Sequence, residues 1–184
     1  MMKTIKKLKE HSPSTTELMN LDYKFQPELT VKLDETKSEF DQSVINEIVL
    51  WKTNRYAQLS IETLNLVNKI DPNSDAIDLD LTHKVLTNLL KTKGVRLPMA
   101  STILRFRNPY IYQIIDQRVF RLLYGYELKL KEYINDNNIN ENINRYLDYL
   151  IELKNTCDEY QIPFTESDRI FYAYDKKVNK KNIN

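Results

Sequence analysis

Only two glycines, Gly94 and Gly125, serve a chain of 184 residues. Tight β-hairpins rely on positive φ, which a residue without a Cβ adopts at little cost, so a fold of many such turns needs more glycine than this. The scarcity favours helices, and the apolar spacing agrees. Phe40, Val44, Ile48 and Trp51 recur at helical intervals from Glu39, with Ser38 placed as N-cap. A second helix is expected over 58–70 (Leu59, Ile61, Leu64, Val67, Ile70), stopped by Asp71-Pro72-Asn73. A third spans 78–92, with Leu81, Val85, Leu89 and Leu90 on one face, and closes at Lys93-Gly94. A fourth opens at Pro98 and runs to Arg107, before Asn108-Pro109.

Residues 109–115 are aromatic and β-branched and read as an extended connector. A fifth helix starts at Asp116, turns Val119, Phe120, Leu122 and Leu123 inward, and stops at Gly125. Beyond an Asn-rich stretch, 135–144, a long helix near 142–160 and a last one at 165–177, capped by Thr165, complete the chain. Residues 1–37 are polar, contain Pro13 and Pro27, and read as an N-terminal arm before a helical domain over 38–180. The expected class is all-α, with neither strand nor internal repeat.

Apolar residues at 41% and charged residues at 29% specify a folded chain. No apolar run reaches membrane-spanning length, and MMKTIKKLKEHSPS lacks the apolar core of a secretory signal, so a cytoplasmic protein without membrane attachment is expected. A single cysteine, Cys157, excludes an internal disulfide and a four-thiolate site. His11 and His83 have no second ligand at metal spacing. Neither a metal nor a cofactor is expected.

Charge is concentrated in residues 91–121, KTKGVRLPMASTILRFRNPYIYQIIDQRVFR. Seven Lys or Arg face a single Asp116 there, a local charge of +6 on a chain of net +1. Such a segment attracts a polyanion far better than the whole-chain charge suggests. Two helices joined by the short turn K-G-V-R-L-P leave amides of the second helix unpaired, and a phosphate can accept them. Lys91, Lys93 and Arg96 would surround that contact, Gly94 would make the turn, and Ser101 lies on the helix that follows. An ordinary helical hairpin with a solvated basic rim fits the turn equally well. Asp116 fits an N-cap, a role compatible with a second one, because a capping carboxylate stays ionised and oriented.

These residues together resemble the helix-hairpin-helix DNA glycosylase superfamily. Leu90, Gly94, Val95, Ala100 and Leu104 match its hairpin, and Ile115-Asp116-Gln117-Arg118-Val119-Phe120-Arg121 matches its aspartate motif at the family's separation. The resemblance covers about 80–125, placing the hairpin at about 80–107 and the aspartate helix at 116–124. It implies two small helical lobes around a cleft that receives a flipped nucleotide from double-stranded DNA. It also implies that Asp116 is the catalytic carboxylate, stabilising positive charge on the sugar. Gln117, Arg118 and Arg121 would join the hairpin in holding the DNA.

Two departures stand out. Arg96 occupies the second hairpin glycine, and Pro98 occupies the Schiff-base lysine of bifunctional members, so a monofunctional enzyme is expected. The base pocket draws on Trp51, Lys52 and Arg55, which combine a stacking ring with cations, although a core Trp beneath a solvated Lys/Arg edge fits them at least as well. It also draws on Tyr110 and Tyr112, of which one faces the cleft and the other the core. Arg105 and Arg107, two apart on a helix, point different ways, so that one could reach phosphate while the other is merely solvated. Substrate candidates are 8-oxoguanine-type lesions and hypermodified phage cytosine such as glucosylated hydroxymethylcytosine, the latter placing the enzyme in anti-phage defence. A monomer is expected. Rival readings are a non-catalytic helix-hairpin-helix DNA-binding protein and a helical protein whose basic segment docks an acidic partner.

Overall fold

A computed structural model describes residues 13–21, 25–37, 39–54, 56–130, 135 and 137–179. His11, Ser38 and Arg55 lie outside the described residues. Among those described the regular structure is helical, with no strand, as the glycine count and periodicity predict. The chain divides into two compact units, Met1–Tyr56 and Ala57–Asn184.

The first unit contains α1 (Thr15–Met19), α2 (Pro27–Glu35) and α3 (Gln42–Lys52). Both α1 and α2 fall in the stretch read as an arm. Asp41 caps α3 by accepting from the Val44 amide at 2.9 Å, so that helix starts later than the apolar spacing suggests. Trp51 fastens α3 to α2: its indole donates to Thr30 Oγ1 at 2.8 Å, and Phe25 meets the ring edge-on at 5.1 Å.

The second unit begins with α4 (Ile61–Asn68), α5 (Leu79–Lys91) and α6 (Leu97–Arg107). Then come α7 (Gln117–Tyr124), α8 (Ile139–Tyr160), a 3₁₀ turn (Phe164–Glu166) and α9 (Ser167–Val178). Its core joins Val85, Leu86 and Leu89 of α5 to Leu104 of α6 and to Ile143, Tyr146 and Leu153 of α8. Removing one such leucine side chain costs about 3 kcal/mol, transfer energy and cavity together.

Two boundaries differ from expectation for local reasons. α8 starts early because asparagines build the turn before it: Asn135 Oδ1 accepts from the amides of Asn137 and Asn138 at 3.0 and 3.1 Å. At the other end, Thr165 caps nothing. It sits in the 3₁₀ turn, where its carbonyl receives Arg105 Nη2 at 3.1 Å.

No helix among the described residues is long and apolar enough to cross a membrane. None of their His, Cys, Asp and Glu side chains gather in groups of three or more able to hold a metal ion.

Candidate nucleic-acid interface

The turn between α5 and α6 is built by its sequence. Gly94 takes φ +85°, a conformation L side chains resist, and Val95 N donates to Thr92 O at 3.1 Å. Val95 and Leu97 are buried and anchor the turn from below. Lys91, Lys93 and Arg96 are exposed around it. Arg96 adopts extended backbone (φ −108°, ψ 171°), which any residue takes without strain. The first bond of the α6 ladder runs from Ala100 N to Arg96 O at 2.9 Å, which leaves the Leu97 and Met99 amides ahead of it.

Ser101, expected at the DNA surface, is buried. Its hydroxyl donates to Pro98 O at 2.8 Å and accepts from Ile115 N at 3.1 Å. It thus ties the middle of α6 to the residue before Asp116. Two tyrosines of α8 hold the same connector: Tyr146 donates to Gln113 O at 2.9 Å and Tyr149 to Ile114 O at 2.8 Å. Burial drives both hydroxyls well above their ordinary pKa, so they remain protonated donors.

Asp116 ends this clamped segment. Its Oδ1 caps α7, accepting from the Arg118 amide at 2.7 Å and the Val119 amide at 3.4 Å. Among the described residues nothing bonds its second oxygen, Oδ2. The carboxylate is half-buried, and its charge is felt by both Tyr149 and Arg121. A fixed anion with one oxygen open can orient a water molecule or face a developing cation. Gln117, half-buried, opens the helix beside it.

The two arginines of α7 converge on α9. Arg121 grips Asp175 with two bonds, Nε to Oδ1 at 2.9 Å and Nη2 to Oδ2 at 2.6 Å, while Arg118 Nη1 reaches Oδ2 at 3.3 Å. Asp175 is fully buried and also accepts from Asn179 Nδ2 at 2.8 Å. Bonding to Arg121 pulls its pKa below the ordinary carboxylate value. The guanidinium of Arg118 lies 5.5 Å from the Tyr172 ring centroid. Asp175, the organising residue of this cluster, carries no local sequence signal; its partners lie 54 and 57 positions away.

Arg105 and Arg107 both donate to backbone carbonyls of the protein. Arg105 is buried, bonds Thr165 O and lies 3.7 Å from Asp168, whereas Arg107 donates to Asn68 O at 2.9 Å, at the end of α4, and to Ile70 O at 2.8 Å just past it. Asn108, seen in the sequence only as a helix stop, holds the following loop by donating to Asp71 O and Ser74 O at 2.8 and 2.9 Å.

Tyr110 and Tyr112 have different settings. Tyr112 is a core residue, 1% exposed, hydrogen-bonded to Thr82 Oγ1, with its hydroxyl pKa raised by burial. Tyr110 is 58% exposed and lines a cavity of about 310 Å³ with Ile77, Leu79 and Leu150. The connector does not alternate along its length: residues 109–111 form a turn, closed by Tyr112 N donating to Asn108 O at 3.2 Å, and Ile111, Tyr112 and Gln113 are all buried. In the first unit Trp51 is half-buried against α2 and Lys52 is exposed. Asp116 does not line the cavity beside Tyr110, nor the one beside Tyr124 and Tyr126, nor the one beside Leu122 and Tyr174.

The chain matches no protein-family model, no curated protein and no solved structure.

Proposed function

We propose that this chain is a monofunctional DNA glycosylase of the helix-hairpin-helix kind, built as two helical lobes around a cleft. One observation carries the reading. The Asp116 carboxylate is pinned by two backbone amides with Oδ2 open, at the end of a connector tied through Ser101 to the helix that follows the basic turn. The resemblance supplies the substrate class, double-stranded DNA bearing a damaged or modified base, and the setting is cytoplasmic and monomeric.

In this reading Lys93, Arg96 and the first amides of α6 take DNA phosphates, with Lys91 adding charge, while Asp116 serves the sugar of the flipped nucleotide. As the N-glycosidic bond breaks, its electron pair leaves with the base, which takes up a proton. The positive charge left on the sugar is stabilised by the Asp116 anion; water oriented by the same carboxylate adds to the anomeric carbon and releases a proton, which balances the one taken up by the base. Pro98 offers no amine at the family's Schiff-base position, so the product is an abasic site in an unbroken strand.

The test is base release from duplexes carrying oxidised purines or glucosylated hydroxymethylcytosine, with abasic sites revealed by alkali. Asp116→Asn is expected to lose at least about 100-fold in rate. Its fold should persist, since Asn caps helices about as well as Asp. Strand breaks without alkali would contradict the monofunctional assignment.

A second reading, a DNA-binding protein without catalysis, is favoured by the capping geometry of Asp116. Equal DNA binding by wild type and Asp116→Asn, with no base released by either, would select it.

A further inference from the structure

Another face of the Ala57–Asn184 unit carries features that DNA binding does not use. Between α7, α8 and α9 lies an open groove of about 580 Å³. Leu122 and Leu123 of α7, Ile162, and Ile170, Phe171 and Tyr174 of α9 form its apolar walls. Ile170 and Tyr174 remain 40% and 51% exposed, more than packing within the unit requires.

The α8 wall is acidic. Glu152 and Glu159 line the groove, and Asp148 stands one turn before Glu152 on the same helix face. Among the described residues none of these three carboxylates forms an ion pair. Neighbouring cations are engaged elsewhere: Lys154 with Asp158, Arg169 with Glu166, and Arg118 and Arg121 with Asp175. Tyr124 registers the resulting field. Its hydroxyl pKa is pushed up to about 12, by burial first and then by Glu152, Tyr126 and Asp148.

We propose that this groove docks a basic amphipathic helix of a partner protein. Apolar side chains of that helix enter between α8 and α9, and Lys or Arg on its flank meets Glu152 and Glu159. The groove runs beside two helices, the setting in which a helix lays successive turns into an apolar trough. Nucleic acid is repelled by the same carboxylates. A neutral apolar molecule would leave them unmatched, so charge selects the peptide.

The experiment uses the full chain and two synthetic helices of about four turns. Both carry Leu at i, i+3, i+4 and i+7; one has Lys on the flanks and the other Glu. Fluorescence anisotropy measures binding to wild type, to Glu152→Lys/Glu159→Lys and to Ile170→Asp, whose positions are exposed and tolerate substitution. The lysine peptide should bind, and each variant should weaken it about tenfold or more. Absence of binding, equal binding of the glutamate peptide, or unchanged affinity in the charge-reversed variant would overturn the proposal. Self-association of wild type that Ile170→Asp abolishes would overturn it too, making a second copy the occupant.

Discussion

The α5–α6 turn and α7 carry cations that look alike in the sequence and have different fates in the fold. Lys93 and Arg96 sit on a rigid turn and face solvent, beside amides that begin a helix. Arg118 and Arg121, three apart on one helix face, are drawn to the buried carboxylate of Asp175. A local charge of +6 therefore overstates what a polyanion meets. The difference teaches that a cluster of basic residues becomes a binding surface only where the fold leaves its charges unanswered.

The contrast can be broken first at Asp175. Asp175→Ala should destabilise the second unit by about 2 kcal/mol, measured by denaturant unfolding. That is below the roughly 3–5 kcal/mol of a fully buried pair, because Arg118 and Arg121 retain some access to water. An unchanged midpoint would mean that α9 is held by packing alone. The next effect is smaller and more local. Gly94→Ala meets nothing within 4 Å of its new Cβ, so its cost, about 1 kcal/mol, comes from φ +85° alone. It should loosen the turn and weaken duplex binding while leaving the Asp175 cluster intact; unaltered binding would detach the turn from DNA.

Acid gives a further, graded test. The native pKa of Asp175 is depressed, so its contribution is fully present above the unfolded value and is lost as pH falls through the native one. Stability should decline below about pH 4 more steeply in wild type than in Asp175→Ala. Parallel acid profiles would show that another carboxylate governs the decline.

How much of this was legible depended on distance along the chain. α5 and α6 were readable nearly to the residue, because Asp78, Gly94, Pro98 and Asn108 mark their ends locally. Asp116 was readable as a cap for the same reason. The helices within 1–37 were not, being short and poor in apolar spacing. Long-range partners were equally hidden. Nothing near Ser101 in the sequence shows that its hydroxyl turns inward to Ile115, and nothing near Arg118 points to Asp175. In the candidate site, residue types and spacing located the carboxylate and the turn, while the availability of each cation was decided by tertiary packing.

We propose that DNA is held by the turn and not by the arginines of α7. The most direct measurement is duplex affinity across a salt series for wild type, Lys93→Ala/Arg96→Ala and Arg118→Ala. Removing one cation that neutralises a phosphate lowers the slope of log K against log salt by about 1. The slope should be lower by about 2 in the turn variant and unchanged in Arg118→Ala. A slope preserved in the turn variant and reduced in Arg118→Ala would contradict it, and would move the DNA face onto α7.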